Sequence, residues 1–159
     1  MTEIKFEFVD RVANEEENYP LPMRATKNSA GYDFYALEDT TIPKSIDTHK
    51  IGKPTLIKTG VKAAFPGDLV LMLYNRSSNP GKLGLVLANG VGVIDADYYN
   101  NQSNEGEIMF AFYNYSDKDV IIRKGDAIGQ GVFQLFFITE DDQAKGERQG
   151  GFGSTSTAI

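Results

Sequence analysis

The sequence contains no cysteine and a single histidine. The first absence excludes disulfides, cysteine-ligated zinc and thiol nucleophiles. The second leaves Ser-His-Asp chemistry open only if His49 is the base, and His49 sits in a polar run, Asp47-Thr48-His49-Lys50, that reads as surface loop. No apolar run approaches the roughly 20 residues of a membrane span. The opening Met-Thr-Glu-Ile-Lys lacks the basic-then-apolar pattern of a secretory signal, so a cytoplasmic protein away from the membrane is expected. Positive charge is also scarce: 16 Lys and Arg against 22 Asp and Glu give a net charge of −6. A broad nucleic-acid face is thereby excluded, while a small anionic ligand held by a few gathered cations is not. There is no internal repeat and no long amphipathic helix.

What is present fits one domain of 159 residues with a sizeable core. Ile4, Phe6 and Phe8 alternate with Lys5 and Glu7, the pattern of a half-buried strand. Ser29 to Ala36 is a compact apolar strand carrying one carboxylate, Asp33, which predicts either a cationic partner or a turn closed by the Asp. Short β-branched segments follow at 40–42 and 55–58, and another strand at 61–65. Leu69 to Tyr74 is almost wholly apolar and predicts a central strand buried on both faces. Strands over 83–86, 91–94, 108–113 and 120–123 and a long one over 127–138 complete the set. Strands of this length, joined by Gly, Asp and Asn turns, predict an all-β sandwich, barrel or jelly roll.

Three stretches carry chemistry. In Gly90 to Tyr99 (Gly-Val-Gly-Val-Ile-Asp-Ala-Asp-Tyr-Tyr) two glycines permit a tight turn or close approach. Val93 and Ile94 read as a short buried strand, and Asp95 and Asp97 share a side if the chain stays extended. Tyr98 and Tyr99 offer a stacking face or wall. A binding site and an edge hairpin with a solvated acidic face both fit this stretch. In Asn75 to Lys82, Arg76-Ser77-Ser78 leads from a strand into a single helical turn; the arrangement suits an anion cradle or an ordinary Ser N-cap beside a solvated Arg. The polar, Gly-rich end holds Arg148 and Phe152 among four glycines and cannot pack a core alone. The chain is therefore divided into a domain, 1–142, and a flexible arm, 143–159.

Taken in order, Ser29-Ala-Gly-Tyr-Asp33, Arg76-Ser-Ser78, Gly92-Val-Ile-Asp-Ala-Asp-Tyr98, Gly125-Asp-Ala-Ile-Gly-Gln130, and Arg148 with Gly151-Phe-Gly-Ser-Thr155 resemble the five motifs of the trimeric deoxyuridine triphosphatase (dUTP diphosphatase) family. The match runs from about residue 21 to the end. The loop from Tyr98 to Gly106 is similar to the version in low-GC Gram-positive bacteria and their phages. The resemblance implies a jelly roll, a homotrimer with sites between subunits, and cleavage of dUTP to dUMP and pyrophosphate with Mg²⁺ held on the triphosphate rather than by protein ligands. It assigns Asp95 to orienting and activating the attacking water and Ser77 to the bridging oxygen of the leaving group. Arg76, Ser78 and Gln130 fall on phosphate-binding positions. Asn89 and the backbone of Gly92, Val93 and Ile94 fall on the hairpin that reads uracil. Tyr98 lies under the deoxyribose, Met109 closes the base pocket, and Asp33 supports the phosphate site. Arg148, Phe152, Gly153 and Ser154 match the arm that closes over the ligand.

The sequence departs from the family pattern in the fourth motif, usually Arg-Ile-Ala-Gln and here Ala127-Ile128-Gly129-Gln130, so one common cation is missing. Arg148 stands one residue closer to the Phe than is typical, and Ser156 replaces the Gly after Ser-Thr. Phosphoanhydride hydrolysis needs in-line water, a positioned base and charge neutralisation rather than a covalent nucleophile, so the absence of Cys and a usable His is no handicap. The dCTP deaminase family is similar at Arg76-Ser77-Ser78, but Ala111 stands where that family carries a Glu. A regulatory binding role toward a protein partner, if the chain is phage-encoded, is the other alternative.

Overall fold

The computed structural model describes residues 3–13, 19–44 and 53–146. His49, the loop expected at 14–18, and the arm residues Arg148, Phe152, Gly153 and Ser154 lie outside the described residues. Within them the chain is all-β apart from one short helix and single turns. The strands are β1 (Lys5–Phe8), β2 (Met23–Arg24), β3 (Tyr32–Tyr35), β4 (Thr40–Ile42), β5 (Thr55–Lys58), β6 (Val61–Ala64), β7 (Leu69–Asn75), β8 (Leu85–Leu87), β9 (Gly92–Ile94), β10 (Met109–Asn114), β11 (Val120–Ile122) and β12 (Ala127–Leu135); helix α1 (Ser78–Leu83) follows β7. The largest sheet has the order β2-β3-β12-β7-β9. A second has the order β5-β10-β8, and β1-β6 and β11-β4 form two-stranded ribbons. The pairings are antiparallel throughout.

The core lies between the five-stranded and three-stranded sheets. Phe34 on β3 and Leu71 and Leu73 on β7 meet Phe110 and Phe112 on β10, with Ile57, Leu85 and Ile128 filling between them. The Phe34 and Phe110 rings are 5.5 Å apart at 53°. Complete burial of such a side chain contributes about 1.5–3 kcal/mol. One glycine on β12 makes the sheets' close approach possible: a Cβ on Gly129 would stand 2.1 Å from the Phe110 ring of the other sheet. Gly131 instead makes room within its own sheet, where a Cβ would stand 2.8 Å from Phe34. The departure from the family pattern at position 129 is thus matched to the bulk of Phe110. The pairing of β12 with β3 shifts register between Ala127 and Gly129, a bulge of the kind that re-aims side chains beside functional sites.

The outer face of the large sheet follows from register, because directly paired residues project to the same side. Asp33, Gln130 and Tyr74 form one row; Val132, Met72 and Val93 form the next; Gln134 and Val70 form a third. Three expectations are corrected here. β7 is buried on one face only, since Val70, Met72 and Tyr74 remain half-exposed. Val93 is 57% exposed rather than buried. β12 ends at Leu135, opposite Leu69 where its partner β7 begins; the Phe136 amide still reaches the Asp68 carbonyl at 3.3 Å, and Phe136 to Ile138 are exposed, Phe137 at 94%.

Candidate active site

Two groups of side chains stand out, and they occupy opposite ends of β7. The first group gathers where β7 ends. Arg76 leaves the strand, its Nη1 donating to the Ala127 carbonyl at 3.1 Å. Ser77 is exposed and makes no side-chain cap bond, and its φ and ψ of −56° and −30° are already helical. The ordinary N-cap reading is thereby overturned: the hydroxyl is not spent on the helix. α1 itself is longer than a single turn, at six residues. Asn79 holds it in place, its amide reaching Asn75 Oδ1 at 2.8 Å and the Ile128 carbonyl at 3.0 Å. Asn75 in turn donates to the Leu85 carbonyl at 2.9 Å. Sequence reading did not single out Asn75 and Asn79. Their i, i+4 spacing around Arg76-Ser77-Ser78 was the available signal.

Beside this group lies the row Asp33–Gln130. Gln130 Nε2 donates to the Asn75 carbonyl at 3.3 Å. A Cβ on Gly31 would stand 2.2 Å from Gln130 Oε1, so the first and fourth motifs fit each other through a missing side chain. Asp33 makes no ion pair among the described residues and sits mid-strand, so both sequence readings of it, paired to a cation or closing a turn, are corrected. Tyr35 is held above its ordinary pKa by burial first and by Asp33 second, with Arg76 opposing; the three therefore share one electrostatic neighbourhood. A cleft of about 330 Å³ behind Arg76 and Ser78 is also lined by Lys82 and Ala127, so a second cation stands near the position where the usual motif-four Arg is missing.

The second group runs along β9. Asn89 and Gly90 make the exposed turn before it, with Gly90 at φ +70°. Gly92 is buried against Leu73, where a Cβ would approach to 3.0 Å. β9 is the last strand of its sheet, so one edge of its backbone has no strand partner among the described residues and can pair with a flat hydrogen-bonding ligand. Asp95 follows, exposed and extended at φ −83°, ψ 157°. Ala96–Tyr98 then form a 3-10 turn. The expectation that Asp95 and Asp97 share one side of an extended chain is therefore corrected. Tyr98 is buried, its hydroxyl donating to the Glu107 carbonyl at 2.9 Å. Met109 opens β10 two residues beyond Glu107 and is half-buried.

The two groups do not meet in one chain. Ile94 pairs with Leu71 and Asn75 with Gly129, so Asp95 lies level with Val70 and six residues of strand separate it from Arg76. At about 3.3 Å per residue that is about 20 Å, far beyond what one triphosphate and its attacking water can bridge.

Among the described residues no group of three or more His, Cys, Asp or Glu is placed to hold a metal ion, and no helix is long and apolar enough to cross a membrane.

An all-β protomer with an edge hairpin, an exposed Asp and an Arg-Ser-Ser turn has the parts of a nucleotide-binding jelly roll, and comparison with known proteins agrees. The dUTPase family model matches residues 17–156. The deoxyuridine 5'-triphosphate nucleotidohydrolase of Lactococcus lactis is 47% identical over 152 residues, covering 94% of this chain and 95% of that one. The crystal structure of the dUTPase from Streptococcus mutans superposes with a TM-score of 0.73 at 42% identity, over 85% of this chain and 98% of that one. A mutant dUTPase from phage phi11 of S. aureus, described with a coordinated structural Mg(II) ion, superposes with a TM-score of 0.66 over 91% and 97%; at 22% identity it shows the fold alone. The chain belongs to the dUTPase family. The jelly-roll expectation is borne out.

Proposed function

We infer that the protein hydrolyses dUTP to dUMP and pyrophosphate, removing dUTP as a source of uracil in DNA and supplying dUMP for thymidylate synthesis, at sites assembled between copies of the chain in a cytoplasmic homotrimer. The observation that carries this reading is the sequence of chemistry along β9: a strand edge without a strand partner among the described residues, then an exposed extended Asp95, then Tyr98 fixed by its buried hydroxyl. Asn89 and the backbone of Gly92 to Ile94 read uracil, Tyr98 underlies the sugar and Met109 closes the base pocket. Asp95 holds and deprotonates the water that attacks the α-phosphorus. Arg76, Ser77, Ser78 and Gln130 from another copy receive the phosphates, and Asp33 supports them. The separation of about 20 Å along β7 and the half-exposed apolar row Val132, Met72, Val93 favour assembly. The exposed run Leu135 to Ile138 points the same way.

Mg²⁺ keeps several waters and binds through one or two carboxylates plus substrate phosphates. The single carboxylate Asp33 beside the Gln130 amide suits an ion that arrives on the triphosphate, where it would neutralise developing charge. Arg148, Phe152, Gly153 and Ser154 complete this reading as an arm over the bound nucleotide. No observation favours deamination: Ala111, paired with Leu56, offers no base. The test is a pyrophosphate-release screen over dUTP, dTTP, dCTP and UTP with Mg²⁺. Release from dUTP alone is expected; ammonia from dCTP, or no turnover of any of the four, would refute the reading.

A further inference from the structure

The loop from Asn100 to Gly106 is built against Tyr98 rather than left to solvent. Asn104 Nδ2 donates to the Tyr98 hydroxyl at 2.8 Å and to the Glu107 carbonyl at 3.3 Å. The same hydroxyl donates to that carbonyl, closing a three-membered network. At the other end of the residue, the Tyr98 carbonyl accepts from Asn101 Nδ2 at 2.9 Å. Asn104 Oδ1 in turn accepts from Asn101 Nδ2 at 2.8 Å and from the Gly106 amide at 3.2 Å. Gly106 approaches so closely that a Cβ would stand 2.6 Å from the Tyr98 carbonyl.

This grip is held under strain and stapled from outside. Asn100 and Glu105 adopt φ of 55° and 60°, left-handed conformations that non-glycine residues keep only where the surroundings over-determine them, and that concentrate at functional sites. Lys62 Nζ donates to Asn100 Oδ1 at 2.8 Å, and Glu105 accepts from the Asp10 amide at 2.9 Å. The buried Glu107 carboxylate receives Arg11 Nη2 at 2.5 Å and the Gly60 amide at 3.0 Å. A surface loop with no task would not need two strained residues and anchors on two other elements.

We propose that Asn104 is a positioning residue for sugar selection: it fixes the tilt of the Tyr98 ring through the phenolic hydroxyl and so sets how strongly the site rejects a 2′-hydroxyl. The proposal rests on the reading that Tyr98 underlies the sugar. Released from Asn104, the ring gains freedom to tilt and to make room for ribose. Asn104→Leu is the clean probe, since it keeps about the same volume and removes the Nδ2 donor without setting a charge or an acceptor before the Tyr98 hydroxyl.

The experiment measures kcat and KM for dUTP and UTP in wild type, Asn104→Leu, Tyr98→Phe and the double variant. Asn104→Leu is expected to lower the dUTP/UTP ratio of kcat/KM about fivefold to tenfold, the scale of one net hydrogen bond, through KM more than kcat. Tyr98→Phe should do the same, and the double variant should lose no more of the ratio than either single change. Equal losses on both substrates, or losses of the ratio that multiply in the double variant, would overturn the proposal. If Asn104→Leu does not fold, Tyr98→Phe decides alone, and an unchanged ratio overturns it. A wild-type enzyme that turns over dUTP and UTP alike would instead overturn the placement of Tyr98 under the sugar, and this proposal with it.

Discussion

In the proposed reaction Asp95 is the residue that activates the water. It is exposed and extended beside the β9 edge, and it is no part of the buried core. Asp95→Asn should therefore fold and bind nucleotide normally while losing about 10²–10⁴-fold in kcat, as for removal of a general base; single-turnover assays beside dUMP titrations check both halves. Gly129 is the opposite case, a residue whose whole contribution is the absence of a side chain. Gly129→Ala should destabilise by about 1–3 kcal/mol, because the added methyl meets the immobile Phe110 ring; chemical unfolding reads this. The stretch around Asp95 was legible from the sequence because a bend, an apolar anchor, two carboxylates and an aromatic fall close together in Gly90 to Tyr99. Gly129 was legible only as a departure from a pattern, since its reason lies on β10.

At the scale of elements, strands with one wet face were the legible ones. The alternation of Phe6 and Phe8 with charged neighbours marks β1, and turn residues fix the ends of β10 and β11. β7 misled because its apolar residues on both faces read as a strand buried within one chain, whereas Val70, Met72 and Tyr74 are half-exposed in the protomer. The loop after Tyr98 was illegible for another reason: its polar residues look solvated until Asn101 and Asn104 are seen to bond inward. Just before this loop, the Tyr99 hydroxyl donates to Glu7 on β1, which also pairs with Lys5, and this group carries a pH signature. Glu7 is held below the ordinary carboxyl range by its hydrogen bond from Lys5 first and from the Tyr99 hydroxyl second. Its contribution is present above the unfolded glutamate value near 4.5 and is lost as pH falls through the lowered folded value. Tyr99 is raised, chiefly by its bond to Glu7, so that part persists below pH 10 and fades as pH climbs through the raised value. Both groups are half-buried at the surface, where solvent still screens them and keeps the effect to about 1 kcal/mol or less. Glu7→Gln should lower the melting temperature slightly at neutral pH, with the gap to wild type closing below about pH 4; melting curves across pH 3–8 test this.

For the molecule as a whole, the proposed function gives residues 143–159 and the body separable tasks. Stacking of Phe152 on a base would contribute roughly 1–3 kcal/mol, less than the cost of fixing several residues at roughly 1–2 kcal/mol each. In that proposal phosphate contacts from Arg148, Gly153 and Ser154 supply the remainder, so closure should depend on the triphosphate. Deleting residues 146–159 should leave the oligomer intact by light scattering and reduce kcat sharply, with a smaller effect on dUMP binding.

The distance along β7 between Asp95 and Arg76 has a genetic consequence. If each site draws these residues from different chains, two defective versions of the protein can rescue one another. Asp95→Asn and Arg76→Ala are each expected to be inactive alone. Co-expressed in equal amounts they should form mixed oligomers in which about one site in four takes its Asp95 from the chain that kept it and its Arg76 from the other. Extracts carrying both alleles should regain about a quarter of wild-type turnover, and extracts mixed after purification should regain it only as fast as subunits exchange.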